Sequence, residues 1–283
     1  MIQSNKVVAA ILTAHDPSRW HYRQIARAQF LPNSPIPYKF VFGDAPYGDW
    51  SKTGIPDDEI LHAPGSDLKT HLHLKDKAAC QWALEQDAQF LWRAMDDTWW
   101  WPERILKANL FQFDYGGNFP CTLRLGGVFK TPMAYYDFCH GGCGIWLSKK
   151  AMQKIVDTEW RADYLDDWPN QLEIGFGLTA PKLDYPWDDF FIGEALKGNL
   201  AWDDPLRRSP VEAYSAQGIT LYSDDLLFFN DDPSRCLSIH DPGRSKQAEG
   251  SRFAGLQRQI RHRNIAAAMA AARVPAEEVP SGD

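Results

Sequence analysis

Two kinds of pattern alternate along the first part of the chain. Residues 6–14 form a continuous apolar run, which is typical of a strand buried on both faces of a parallel sheet, and residues 38–45 predict a second strand. In residues 74–86 apolar or small side chains recur at helical spacing, and residues 19–29 place arginines at the same spacing. The alternation predicts an α/β domain in which helices flank a mostly parallel central sheet.

Residues 90–105 combine a strand, an acidic turn and a helix. The β-forming run of residues 90–92 leads to the adjacent carboxylates of Asp96 and Asp97, and Pro102 opens a helical pattern. In an open α/β sheet, ligands bind at the carboxyl ends of the strands. Two carboxylates held there repel each other unless a cation lies beside them, and oxygen ligands suit a hard divalent cation. This stretch therefore predicts a metal site.

An Asp-Asp pair alone is weak support for a metal site, because most such pairs are solvated turns or helix caps. The pairs begin at Asp57, Asp96, Asp166, Asp188, Asp203, Asp224 and Asp231. The pair at Asp96 follows an apolar strand directly, and the pair at Asp188 opens a clean helix over residues 187–198. In that helix Asp189 is either a functional carboxylate or a first-turn charge that favours the helix dipole.

A glycine-rich block follows in residues 140–155. Gly141, Gly142 and Gly144 let the backbone approach a ligand closely. The block continues with a short strand over residues 145–147 and a helix capped by Ser148. Residues 160–184 are rich in loop-forming residues and predict an insertion near the site.

Three arginines at positions 19, 23 and 27 share one face of the first predicted helix. They form either a solvated basic face or a set in which one arginine meets a phosphate or nucleobase. Near the other end of the chain, residues 246–272 predict a basic helix, and residues 273–283 predict a disordered tail. Residues 1–245 are then predicted to make up a single domain.

Composition narrows the function classes. The net charge of −7 argues against a broad surface for nucleic acid or anionic membranes. Five cysteines, an odd number, predict free thiols in a reducing compartment. The apolar run at residues 7–14 is too short to span a membrane and lacks the layout of a signal peptide. We therefore expect a cytoplasmic protein, in a bacterium or in a virus-infected cell.

The order of these blocks resembles the inverting glycosyltransferases of the fringe and β-1,3-galactosyltransferase kind, glycosyltransferase family 31, over roughly residues 6–242. The similar stretches are ILTAHDPSRWHYRQIARAQF, DLKTHLHLKDKAA, FLWRAMDDTWWWPERIL, CHGGCGIWLSKKAM and PWDDFFIGEAL. Two positions depart from the family pattern: Met95 replaces the first aspartate of its acidic triplet, and Trp146 replaces its usual tyrosine. The family's Golgi anchor and stem are absent from this sequence. The resemblance implies a GT-A-like, Rossmann-like single domain.

The same resemblance implies the chemistry and its residues. Asp97 and His240 are expected to hold Mn²⁺ or Mg²⁺, with Asp96 as a direct ligand or just behind one. Asp189 is expected to be the catalytic base. The expected contacts with the donor or acceptor are Thr13, Arg23, Lys75, Arg93, Gly141, Gly142, Gly144, Trp146 and Asp188. Together these imply a metal-dependent inverting enzyme that moves a sugar from a nucleotide sugar, expected to be a UDP-sugar, to an acceptor hydroxyl.

Two other classes stay open. One is a non-catalytic nucleotide- or sugar-binding protein on the same fold, with Met95 as a sign of lost activity. The other is a metal-dependent phosphohydrolase, which needs a clustered second metal site that the scattered histidines do not supply. His240, which precedes an Asp-Pro turn, also has a plain alternative as a turn residue. For the acceptor, both a glycan and a modified nucleobase of viral DNA are compatible with the sequence.

Overall fold

The computed structural model describes residues 6–16, 19–29, 31–44, 53–67, 71–108, 110–125, 134–159, 171–174, 178–181, 188–198, 214–223 and 237–240. The predicted basic helix at 246–272, the tail at 273–283 and the domain boundary at 245 lie outside these residues. The strands are β1 (Val7–Leu12), β2 (Tyr38–Asp44), β3 (Ile60–Ser66), β4 (Phe90–Met95), β5 (Thr98–Trp100), β6 (Tyr115–Leu125), β7 (Ala134–Ser148), β8 (Gln171–Ile174), β9 (Leu178–Pro181), β10 (Leu221–Ser223) and β11 (Ser238–His240). The helices are α1 (Trp20–Gln29), α2 (Leu72–Glu85), α3 (Pro102–Lys107), α4 (Lys149–Asp157) and α5 (Asp188–Lys197).

Most of the described strands belong to one sheet with the order β3-β2-β1-β4-β7-β6-β8-β9, and β10 pairs with β6. The first four strands in this order are parallel to one another, as the sequence predicts. From β4 onwards the sheet continues with antiparallel pairs. The protein is therefore an α/β fold, and in such open sheets ligands bind at the carboxyl ends of the parallel strands.

Both faces of β1 are covered, which explains its continuous apolar run. Val7, Ala9 and Ile11 pack into one core, while the alternate residues Val8 and Ala10 pack into another. The second core includes side chains from α2, α4 and α5, and the first includes side chains from α1 and α3. Because successive side chains of a strand point to opposite faces, only an unbroken apolar sequence satisfies both cores.

Strand β7 differs from the short strand predicted at residues 145–147. It begins at Ala134 and contains all three glycines of the glycine-rich block. Its pairing with β6 jumps from Ile145, opposite Gly117, to His140, opposite Asn118, so residues 141–144 form a bulge. The bulge begins where pairing with β4 ends, because Ile145 is also the partner of Arg93. A β-bulge of this kind redirects backbone and side chains next to a site.

Three other predictions need correction. The loop-rich insertion at 160–184 contains the paired strands β8 and β9. The helical spacing of Ile105, Leu106, Leu110 and Phe113 predicts a helix that continues to Phe113, whereas α3 ends at Lys107. Between the acidic pair and α3 lies strand β5, which pairs with β11 in a separate small sheet. The residues that follow the acidic pair are thus held in extended conformation instead of entering a helix at once.

Cys80 is buried and its thiol is free, in agreement with the prediction for this cysteine, and Cys139 is also buried. The side chains of Cys121, Cys143 and Cys236 lie outside the described residues. Among the helices that are described, none has the length and apolar character needed to cross a bilayer.

Candidate functional site

The acidic pair lies beside the end of β1, at the carboxyl edge of the parallel strands. The backbone hydrogen bonds between the parallel strands continue one residue past the ends of β1 and β4. Thr13 N–H donates to Val41 O at 3.1 Å, and Asp96 N–H donates to Leu12 O at 3.0 Å. Thr13 Oγ1 then donates to Asp96 Oδ2 at 2.6 Å. Two residues that are distant in sequence are joined there because parallel strands β1 and β4 end at the same level.

Arg19, just before α1, binds both carboxylates of the acidic pair. Its Nε–H donates to Asp96 Oδ1 and Oδ2 at 2.8 Å, and its Nη2 also contacts Asp96 Oδ1. The same Nη2 lies 3.2 Å from Asp97 Oδ2. The cation that the two carboxylates need is thus supplied, in this structure, by a side chain of the protein. The two carboxylates raise the pKa of Arg19 above its ordinary value, against the effect of burial.

Asp97 is more exposed than Asp96, and burial shifts the pKa of its carboxyl group. The side chain of Asp97 is 17% exposed, whereas that of Asp96 is 0% exposed. Burial raises the pKa of Asp97 to about 6, and the negative charge of Asp96 acts in the same direction, while Arg19 lowers it. Holding an ionised Asp97 at neutral pH therefore costs folding free energy, as is common for groups at functional sites.

The acidic pair fits a divalent cation unequally. Both carboxylate oxygens of Asp96 already accept hydrogen bonds from Thr13 and Arg19. Asp96 is therefore better placed to support a metal-binding residue than to bind the metal directly. Asp97 has a partly exposed carboxylate, an oxygen donor of the type that Mg²⁺ and Mn²⁺ accept. His240 is paired with Thr98 between β11 and β5, so its backbone lies opposite the residue that directly follows Asp97.

The side chain of His240 lies outside the described residues. Among the side chains that are described, no three metal-ligating groups come together.

Arg23 and Lys75 are buried beneath the end of β1, where they hold its backbone. Arg23 Nη1 donates to Ala14 O at 2.7 Å and to Thr13 Oγ1 at 3.2 Å. Lys75 Nζ donates to Thr13 O and to Asp67 Oδ1, both at 2.6 Å. Burial lowers the pKa of both cations. Arg23 is only 1% exposed, so a solvated basic face is the wrong interpretation for this arginine.

A second charged cluster surrounds Gly141 and contains Asp189, the predicted base. Arg93 Nε–H donates to Asp76 Oδ1 at 2.8 Å, and its Nη1 donates to Gly141 O at 2.9 Å. Gly141 N–H in turn donates to Asp189 Oδ2 at 2.9 Å. Gly141 therefore connects the buried Arg93, through its carbonyl oxygen, to the carboxylate of Asp189, through its N–H. Burial raises the pKa of Asp76, although Arg93 opposes this effect.

The absence of a side chain at Gly141 is required by this packing. A Cβ built there would lie 2.7 Å from Arg93 Nη1 and 3.1 Å from Asp189 Cβ. Gly144 is needed for another reason, because its φ is +89° and a Cβ would overlap the ring of Trp92. The glycines of the bulge thus permit close packing of the chain around Asp189.

The two clusters are joined through consecutive glycines. Thr98, which follows Asp97, donates from Oγ1 to Gly142 O at 2.7 Å. Gly141, one residue earlier, binds Asp189 as described above. Asp97 and Asp189 are 92 positions apart in sequence, yet Asp189 and Thr98, the neighbour of Asp97, contact the same two-residue segment of the bulge.

Of the two remaining predicted contacts, the structure describes the side chain of Trp146 but not that of Asp188. Trp146 is fully buried, stacked on Phe90 and packed edge-on against Phe111, so its position is in the core rather than at the site. Its ring N–H donates to Phe113 O at 3.3 Å. Asp188 is the first residue of α5, and its side chain lies outside the described residues.

Sequence reasoning missed several residues that build the site. Arg19, Thr98 and Asp76 were not among the predicted contacts, although each lies close in sequence to a residue that was. The helical spacing of Arg19 with Arg23 is a signal that both face the sheet. Nothing in the sequence indicates that Asp76 pairs with Arg93, because that contact depends on how α2 packs against β4.

No protein-family model matches the chain, and no curated protein matches it in sequence. The resemblance to glycosyltransferase family 31 therefore stays a prediction. Among solved structures, the chain is similar to a glycosyltransferase involved in the glycosylation of the major capsid of PBCV-1, with 11% identity, 89% of this chain and 99% of that chain covered, and a TM-score of 0.36.

Two nucleotide-sugar enzymes are also similar in structure. One is assigned as a UDP-N-acetylglucosamine pyrophosphorylase from Entamoeba histolytica, with 9% identity, 56% of this chain and 62% of that chain covered, and a TM-score of 0.34. The other is a mutant UDP-glucose pyrophosphorylase from Leishmania major, with 6% identity, 66% and 59% covered, and a TM-score of 0.32. The chain spans about three fifths of the length of each pyrophosphorylase.

Proposed function

We propose that this chain is a divalent-metal-dependent, inverting glycosyltransferase that uses a nucleotide sugar, of the UDP-sugar class, and a hydroxyl acceptor. One observation supports this proposal above the others. Thr98, which directly follows the acidic pair, contacts Gly142 O, and Asp189 contacts Gly141 N–H, so the candidate cation site and the candidate base are connected to neighbouring residues of the same bulge.

On the donor side, Asp97 and His240 would hold the cation, with Asp96 and Thr13 behind them. A divalent cation bound there would stabilise the negative charge that develops on the leaving nucleoside diphosphate. Arg23 and Lys75 hold the backbone of residues 13 and 14 in place. Their roles are therefore to shape the donor pocket rather than to contact the sugar directly.

On the acceptor side, Asp189 would act as the general base. As the acceptor oxygen forms a bond to the anomeric carbon, its proton passes to a carboxylate oxygen of Asp189 and the bond to the diphosphate breaks. Gly141 N–H holds Asp189 Oδ2 in a defined orientation. A single base without an enzyme nucleophile gives one displacement, and one displacement inverts the configuration of the sugar.

Arg93 and Asp76 would act as positioning residues for the base. Neither touches the reacting atoms, but Arg93 fixes the carbonyl of Gly141 and so the orientation of the adjoining chain. Asp76 is 1% exposed and supplies the counter-charge that lets Arg93 remain buried. The expected consequence of losing either residue is a misplaced Asp189.

The test is incubation with a panel of nucleotide sugars and Mn²⁺, with and without excess EDTA, and detection of the released products. Release of nucleoside diphosphate that EDTA abolishes and that Asp189→Asn lacks supports the proposal. Release of inorganic phosphate would indicate a phosphohydrolase instead. Binding of a nucleotide sugar without any turnover would indicate a non-catalytic binding protein, and full activity in EDTA would contradict the metal requirement.

A further inference from the structure

Within the proposed function, on which this inference rests, we propose that Arg19 competes with the divalent cation for Asp97. Its guanidinium occupies the acidic pair before a donor arrives, and the diphosphate of the donor is what allows the cation to bind beside it. Arg19 thereby makes cation binding conditional on the nucleotide.

The first support is that Arg19 already compensates the charge of the pair. Its guanidinium reaches three of the four carboxylate oxygens of Asp96 and Asp97. Two buried carboxylates create a strong local demand for positive charge, and a guanidinium that satisfies this demand reduces the attraction for any second cation.

The second support is that Arg19 holds the two carboxylates unequally. It contacts Asp96 through both Nε and Nη2, but it contacts Asp97 through the single 3.2 Å approach of Nη2. The Asp96 side chain is fully buried, whereas Arg19 is 23% exposed and Asp97 is 17% exposed. A cation arriving from solvent can therefore replace the contact with Asp97 while Arg19 stays attached to Asp96.

The third support is electrostatic. Any cation bound to the Asp97 carboxylate meets the positive charge of a guanidinium whose Nη2 is 3.2 Å from Asp97 Oδ2. Like charges at this separation oppose each other's binding by about tenfold or more. A diphosphate brings two or more negative charges to the same place, which removes the conflict because it attracts both the metal and Arg19. Cation and nucleotide binding are then positively coupled.

The experiment measures binding of Mn²⁺ alone, of UDP alone, and of Mn²⁺ in the presence of UDP, by calorimetry or by the electron paramagnetic resonance of free Mn²⁺. The key variant is Arg19→Gln, which keeps an N–H donor for Asp96 and removes the charge. Arg27→Met is the matched control, because Arg27 lies on α1, the helix that directly follows Arg19, but pairs with Glu59 away from the acidic pair.

In the wild type and in Arg27→Met, Mn²⁺ alone is expected to bind weakly, and UDP is expected to tighten its binding at least about tenfold. In Arg19→Gln, Mn²⁺ alone should bind about tenfold more tightly than in the wild type, and the effect of UDP should shrink. Arg19→Lys, which keeps the charge, should resemble the wild type. If Arg19→Gln does not fold, Arg19→Lys and the wild type still test the required coupling.

Tight Mn²⁺ binding by the wild type without UDP, or equal binding by the wild type and Arg19→Gln, would overturn this inference and leave the proposed function intact. If neither Mn²⁺ nor UDP binds to any variant, the proposed function itself fails, and the inference fails with it.

Discussion

The two clusters of the candidate site use the same chemical pair, arginine and aspartate, in different settings. Arg19 is partly exposed and shared between two carboxylates, at the edge where a ligand can enter. Arg93 is 1% exposed, and it bridges Asp76 and a backbone carbonyl. The difference suggests a division of labour, in which Arg19 is an exchangeable partner of a charged ligand and Arg93 is a fixed part of the framework.

Burial decides between these roles. Breaking a buried ion pair leaves an uncompensated charge in a medium that solvates it poorly, so loss of one partner destabilises the fold. A pair with access to solvent can exchange one partner for another at a small cost. We therefore expect substitutions around Arg93 to change stability first, and substitutions around Asp97 to change ligand binding first.

The largest effect on stability is expected for Arg93→Met. It leaves Asp76 buried without its ion-pair partner, which should cost about 3–5 kcal/mol of unfolding free energy in urea titrations. The matched control is Arg27→Met, which removes an arginine that is 30% exposed from its pair with Glu59 and should cost about 0–1 kcal/mol. Similar losses for the two variants would contradict the distinction between framework and exchangeable arginines.

A pH-dependent effect is expected at Asp97. Its pKa in the folded chain is about 6, above its value in the unfolded chain, so the folded state retains a proton to higher pH. The resulting stability is complete below about pH 4 and is lost as the pH rises through about 6.

Asp97→Asn cannot ionise, so at pH 8 it should be more stable than the wild type by about 1–3 kcal/mol. The difference should shrink towards zero as unfolding is measured down to pH 4. A difference that does not vary with pH would show that ionised Asp97 carries no folding cost.

A smaller effect on stability is expected for Gly141→Ala, with a clear effect on transfer. The new Cβ would lie 2.7 Å from Arg93 Nη1 and 3.1 Å from Asp189 Cβ, and overpacking of this kind costs about 1–3 kcal/mol. Because Asp189 must move, sugar transfer should fall by more than the loss of folded protein explains.

The control for crowding is Gly116→Ala, whose Cβ would lie 3.2 Å from Tyr222 Cβ, away from Asp189. It should cost stability and leave the transfer rate of the folded protein near that of the wild type. Equal rates for both alanine variants would show that Gly141 does not position the base.

Much of the parallel half of the sheet was predictable from sequence, because its signals are local. The apolar run at β1 and the helix face of α2 follow from burial on one or both sides of an element. The antiparallel half of the sheet was harder to predict from sequence. Strand β7 carries three glycines, which are unfavourable within strands, and its bulge depends on the pairing with β6.

The site was predictable in part for the same reason. The strand end before Asp96 and the helix start at Asp188 are local signals, and the structure confirms both, since β4 ends at Met95 and α5 begins at Asp188. The identity of the cation beside Asp96 could not be predicted from the local sequence. The repulsion between the two aspartates predicted a divalent metal, whereas in the structure Arg19 supplies the positive charge, and its contacts require the residue that precedes α1 to lie beside the end of β4.

The most direct test of the account compares Asp97→Ala and Asp189→Asn for UDP binding in Mn²⁺ and for transfer from the donor identified in the panel. Asp97→Ala should weaken UDP binding and transfer together. Asp189→Asn should lower transfer by about 10²-fold or more and leave UDP affinity nearly unchanged, because a base acts in the transition state. Near-wild-type transfer by Asp189→Asn, with Asp188→Asn inactive, would move the base to Asp188, and transfer by both would contradict the account.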